Sequence, residues 1–352
     1  MNARENFLRA CRRDNPSWVP FDFSLCPSLQ EEFTRRTGQT DYRAFFGMGM
    51  EVVGPAPTRR RTDFCGFYRH PLLPTDSFNE WGIGSRAGSV AHFTEMLHPM
   101  QSCQTVDEVA SYPFPDEAAD YRWEEVPAQA AAAQTAGSAA IAYMHCTIFE
   151  ISWYLRGMEE FLQDLLIDPE MACAIMDRVL SLRVACAERF ASAGVDMLQL
   201  GDDVSTQLDM MLSPALWRRY IKPRLAEVIA AAKRIKPDIL LFYHGDGNLQ
   251  KIIPDLIEIG VDVLNPVQPE CMDPVEIKRL YGDRLSFWGT VGTQTTMPFG
   301  TAAQVKAFCR EMIGTVGRGG GLILAPTHML EPEVPWGNIE AFIEACGEYG
   351  WY

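Results

Sequence analysis

Two kinds of hydrophobic pattern alternate along the chain. Short, nearly continuous apolar runs occupy residues 139–146, 196–201, 238–244, 261–266, 285–290 and 321–326. A bounded apolar run without polar alternation describes a strand buried on both faces. Between the runs, apolar residues recur at helical spacing over 168–193, from 213 onward, and over 248–259, 273–281, 301–316 and 338–349. The punctuation suits helices: Asp168-Pro169 and Ser213-Pro214 put a capping side chain before a proline at the first helical position, and Gly194 follows the end of one pattern. Alternating strands and helices, with the strands doubly buried, predict a parallel sheet of the α/β class. Counting 18–24 and one more strand near 50–54 gives eight, and eight such units close most simply into a (β/α)8 TIM barrel. The alternative is an open doubly wound sheet; no GxGxxG follows the first strand, which counts against its dinucleotide-binding form.

Residues 55–135 break this rhythm. They are rich in Pro, Arg and aromatic residues (Phe64, Phe67, Tyr68, Trp81, Phe93) and read as an irregular insertion over the barrel mouth, with a small hairpin over 81–90. The alanine-rich stretch 128–140 predicts a helix leading into the third strand. No repeat or linker interrupts the chain, so the expectation is one domain over 1–352, with 55–135 as its lid.

Charge narrows the partners. With 31 Lys and Arg against 46 Asp and Glu the formal charge is −15, the wrong sign for a phosphate backbone, so nucleic acid is excluded. No apolar stretch approaches the roughly 18 residues of a membrane helix, and residues 1–16 have no signal-peptide core. Ten cysteines without a CxxC pair read as reduced thiols. Together these predict a cytoplasmic protein with no membrane association.

In a barrel of this kind, chemistry collects at the C-terminal ends of the strands. Those ends read Asp22, His145, Asp202-Asp203, His244, Asp246, Asn265 with Gln268, Thr290 and His328, which include three of the six histidines. His244 and Asp246 are two apart on extended chain, so their side chains leave one face and can converge. His328 is the natural third ligand, and two imidazoles with one carboxylate suit Zn²⁺ ahead of Fe²⁺ or Mn²⁺. The alternative gives His244 a hydrogen bond at the rim and Asp246 a cap on the next helix, for which Asn248 is equally suited. Adjacent Asp202 and Asp203 point opposite ways: the inward one is a general acid/base or a fourth ligand, the other caps or pairs at the rim. His145, Asn265, Gln268 and Thr290 stand as substrate-binding positions of the pocket wall, and Asp22 as a further catalytic carboxylate. The glycines of 317–321 precede the eighth strand, at the barrel bottom, and predict a turn.

Leu200-Gly-Asp-Asp203, Tyr243-His-Gly-Asp-Gly-Asn248, Gly260-Val-Asp-Val-Leu-Asn-Pro-Val-Gln268, Gly289-Thr290 and Leu324-Ala-Pro-Thr-His328 follow the order and spacing of a known family. The second half, about residues 190–350, resembles the uroporphyrinogen decarboxylase superfamily, whose other large branch is the cobalamin-dependent (corrinoid) methyltransferases. The resemblance implies the barrel. The decarboxylases carry an Arg-rich motif after the first strand, whereas Val19-Pro-Phe-Asp-Phe-Ser-Leu25 is followed by no Arg until Arg35; a porphyrinogen bearing many carboxylates then lacks its counter-charges. The methyltransferase branch places zinc on a His-x-Cys after the fifth strand and a Cys after the eighth, positions that His244, Asp246 and His328 match with changed ligands. The resemblance thus implies a zinc-dependent methyltransferase, with Asp203 or Asp202 as proton donor or fourth ligand. Cobalamin would come on a corrinoid partner protein, and O-demethylation of a methoxylated small molecule is the sharper expectation. The alternatives are a metal-free lyase using Asp22 or Asp203, and a barrel that binds a ligand without turnover.

Overall fold

A computed structural model describes residues 1–88 and 94–352. Ten strands follow in chain order: β1 (Met50–Val52), β2 (Ser77–Phe78), β3 (Gly84–Ala87), β4 (Thr94–Leu97), β5 (Ala139–His145), β6 (Met197–Gly201), β7 (Leu240–His244), β8 (Val263–Asn265), β9 (Ser286–Val291) and β10 (Leu322–Pro326). Seven form one parallel sheet in the order β1-β5-β6-β7-β8-β9-β10, and β2-β3-β4 form a separate antiparallel sheet inside the insertion. The expected hairpin over 81–90 is therefore a three-stranded sheet; its residues 89–90, and Phe93, lie outside the described residues.

The parallel sheet curls into a barrel. Met50, Ala139, Ile141, Met197, Leu240, Phe242, Val263, Trp288, Ile323 and Ala325, drawn from all seven strands, bury into one cluster, which a flat sheet cannot achieve. They are alternate residues of each strand, as the pleat requires. The helix Ala3–Arg12 plugs the bottom with Phe7, Leu8 and Cys11, and Phe7 meets Trp288 edge-on at 5.5 Å. The eighth position is less regular than a strand at 18–24 would be. That segment touches β10 through a Phe21–Leu324 bridge, with Asp22 N–H donating to Leu324 and Leu324 N–H to Pro20. Pro20, lacking an N–H, cannot extend a ladder there.

The helical layer follows the punctuation closely. Pro169–Ser192 starts behind an Asp168 cap, Pro274–Tyr281 behind Asp273, and Ala302–Thr315 behind a Thr301 capping box. The alanine-rich helix runs Val126–Thr135. Over 248–259 the pattern overstates the helix, which covers only Ile253–Glu258; Asn248 instead accepts from Gln250 N–H in a turn, so neither Asn248 nor Asp246 caps it. Gly319, Gly320 and Gly321, all at positive φ, make the turn below β10. All ten cysteines are unpaired. No helix among the described residues is long and apolar enough to cross a membrane.

Candidate metal centre

Register turns the strand ends into a ring. His145 pairs with Gly201, Gly201 with His244, and His244 with Asn265, so four neighbouring strands contribute one row above the apolar layers of Phe242 and Val263. Gly201 makes the row possible: a Cβ there would lie 2.7 Å from both the Cβ and the carbonyl oxygen of His244. Across this gap the His145 and His244 rings stack at 5.4 Å, 14° from parallel. Burial among the surrounding groups, with His244 adding to it, pulls His145 down to about 4. His145 nonetheless reaches solvent at the mouth.

Asn265 sets the orientation of His244. Its Nδ2 donates to the Trp288 carbonyl at 2.7 Å, so the Oδ1 must face the ring, 2.6 Å from His244 Nδ1. A carbonyl oxygen only accepts, and Nδ1 therefore carries the proton. Nε2 is left facing two carboxylates: Asp203 Oδ1 at 3.6 Å and Asp246 Oδ1 at 3.9 Å. Asp203 and Asp246 each lie two residues past the ends of β6 and β7, which returns both side chains to the inward face. Asp203 is further held by the Asp246 N–H at 2.8 Å. Asp246 Oδ1 is shielded from solvent and has no hydrogen-bond partner among the described residues. Ligand atoms of Asp203, His244 and Asp246 all lie within 4.8 Å of one another.

His328 does not join them. It lines a recess of about 190 Å³ together with Asp246, but the three-residue group excludes it. Sheet order is the reason: β6 is hydrogen-bonded directly to β7, while β8 and β9 separate β7 from β10. Among the described residues the third member of the group of close ligand atoms is Asp203 instead.

The remaining candidates divide. Asp202 turns away from the axis, fully buried, and accepts the N–H groups of Ile148 and Glu150 at 3.0–3.1 Å, holding the start of the helix Phe149–Arg156. Its burial beside Glu150 raises its pKa, and those amide donors pull against the rise. Asp22 is buried and accepts from Arg43 Nη1 at 2.9 Å. Burial raises its pKa, and Arg43 opposes. Gln268 accepts from Gly247 N–H at 2.7 Å, bracing the loop that carries Asp246. Thr290 is fully buried at φ 78°, its hydroxyl unpartnered among the described residues.

Strand ends alone do not point to Glu150. It is buried next to Asp203 and accepts from Tyr154 O–H at 2.8 Å. Burial raises its pKa, and the Asp203 charge adds to the rise. The available signal is one acidic residue inside the apolar run Ile148-Phe149-Glu150-Ile151. Nor do they point to Arg43, which lies beyond the segment it serves.

Residues 101–349 match the uroporphyrinogen decarboxylase family, well over half of the chain. The chain belongs to that family. Two curated relatives are the methylcobamide:CoM methyltransferase MtaA of Methanosarcina barkeri, 27% identical over 199 residues (56% of this chain, 52% of the relative), and its counterpart in the Fusaro strain, 25% identical over the same length. The match thus spans about half the length of each relative. Among solved structures, a methyltransferase from Methanosarcina mazei superposes with a TM-score of 0.73 over 99% of both chains at 16% identity, the same fold as this uroporphyrinogen decarboxylase family member.

Proposed function

We propose that Asp203, His244 and Asp246 hold one divalent metal ion, and that the protein transfers a methyl group between a small molecule and a corrinoid carried by a partner protein docking over the mouth. The observation that carries the reading is the convergence of three ligand atoms with an orphaned Asp246 oxygen at its centre. Buried polar atoms are almost always partnered, and a cation supplies what Asp246 Oδ1 lacks. Three protein ligands leave an open position, as catalytic sites do. One imidazole and two carboxylates form a harder set than two imidazoles and one carboxylate; zinc still fits it, with Mn²⁺ and Fe²⁺ closer competitors.

Bound there, the ion supplies Lewis acidity to a heteroatom that gains or loses a methyl group. The chain's own residues do the rest. Asn265 holds the His244 ring with Nε2 toward the centre, and His145 stacks behind it. The Asp246 amide fixes Asp203. Glu150, whose pKa burial and the Asp203 charge raise, stands beside the centre with the Tyr154 hydroxyl on its carboxylate. The metal-free lyase reading would draw on Asp203, or on an Asp22 already paired to Arg43.

Metal analysis tests the first half: about one equivalent of divalent metal per chain is expected, and none would remove the proposal. The second half is read in the visible spectrum of a methylated corrinoid incubated with the protein and small nucleophiles, where loss of the methyl–cobalt band is expected. Asn265→Leu is expected to weaken metal binding by about 10–100-fold in a chelator competition. An unchanged affinity would show that the ring needs no such guide.

A further inference from the structure

The recess beside the candidate centre has a definite chemical character. Its volume is about 190 Å³, and it is lined by Asp246, Gln268, Thr293, His328, Glu331 and Glu333, among others, with no Lys or Arg. That volume falls below the roughly 300 Å³ at which drug-sized ligand pockets begin, so it admits a compact molecule. Gln268 is 5% exposed. Its Oε1 is committed to the Gly247 N–H and to the Cys271 thiol, which fixes the amide and makes Nε2 a donor with no acceptor among the described residues. That donor opens on the recess, where an acceptor on a bound ligand can take it. Glu331 and Glu333 set the local potential negative.

We propose that this recess receives the methyl-bearing small molecule, that Gln268 donates to its heteroatom, and that Glu331 and Glu333 select a compact neutral or cationic alcohol, ether or amine over a carboxylate or sulfonate. The inference rests on the metal-centred reading for what happens to the methyl group, but not for what binds. The test uses three molecules of one size and different charge: 2-methoxyethylammonium, 2-methoxyethanol and methoxyacetate. Binding to the full chain is followed by ligand-observed NMR, as purified and after chelator treatment, with metal content measured on the same samples.

The ammonium and the alcohol are expected to bind at least about fivefold more tightly than the carboxylate in the chelator-treated protein, with the ammonium's advantage shrinking as salt rises. Glu331→Gln with Glu333→Gln is expected to narrow the gap between the ammonium and the carboxylate, leaving the share that Asp246 contributes, without changing metal content. Gln268→Leu is expected to weaken all three. Equal binding of methoxyacetate by the native chain, selectivity that the double substitution leaves unchanged, or no binding of any probe would each overturn the proposal. A protein that shows the selectivity yet takes up no metal would instead sink the metal centre and leave the recess standing.

Discussion

His244→Ala, Asp203→Ala and Asp246→Ala are each expected to purify without divalent metal, while the native chain and His328→Ala each carry about one equivalent. Removing a group that only orients a ligand typically costs 10–100-fold in metal affinity, so loss of a direct ligand should exceed about a hundredfold. The three side chains are 22%, 38% and 32% exposed for His244, Asp203 and Asp246, on the rim rather than in the core, so their removal should not unfold the barrel. Thermal unfolding separates loss of metal from loss of fold. A chelator should lower the native Tm, because a ligand that binds only the folded state stabilises it, and should leave the Tm of the three variants unchanged. In the chelated native protein, burial raises the pKa of Asp246 and Glu150, with Asp203 adding to both. A carboxyl with a raised folded pKa binds its proton more readily when folded, so its contribution to stability falls as pH climbs above the ordinary carboxylate range. Metal should flatten that slope. A His328→Ala protein without metal would return β10 to the site and refute the ligand set Asp203, His244 and Asp246.

The contrast between Asp203 and His328 shows what the sequence can carry. Periodicity and caps locate the six strands from residue 139 onward and the longer helices, though not the helices Phe149–Arg156, Met158–Ile167 and Thr296–Phe299. A doubly buried strand and a capped helix each leave a local mark: Asp168-Pro169 and Thr301 sit within a residue of their predicted places. The helix over 248–259 is overstated because apolar spacing persists through a turn that folds back on itself. At the site, the two-residue offset of His244 and Asp246 is local and legible, and so is the opposed pointing of Asp202 and Asp203. Which third side chain arrives is a question about distances across a closed ring. That depends on register and curl, and neither is written in any one segment. Nor is the service of Arg43 to Asp22, which begins 21 positions away. The family resemblance directs attention to the end of the eighth strand, whereas the ligand atoms that lie together include a carboxylate from the strand beside β7.

Gly201→Val is expected to destabilise the protein by about 3 kcal/mol or more and to remove metal binding as well, two effects with one cause. The Cβ that valine adds would stand 2.7 Å from the His244 Cβ and 2.7 Å from its carbonyl oxygen, and the second of these is backbone that also accepts the Asp202 N–H at 3.1 Å. Backbone within a parallel ladder cannot step aside as a side-chain tip can. Overpacking a tight interior costs roughly 1–3 kcal/mol, and here β7 must additionally move against β6 and β8. The displaced residue is His244, so ring and carboxylates lose their common centre while the rest of the barrel survives. Gly201→Ala should sit between native and valine in both Tm and metal affinity, since it carries the same Cβ without the branches. Tm and affinity should therefore fall together across glycine, alanine and valine. If valine lowered Tm with metal affinity intact, the His145–Gly201–His244 row would be a packing feature only, and the orientation of His244 would rest on Asn265 alone.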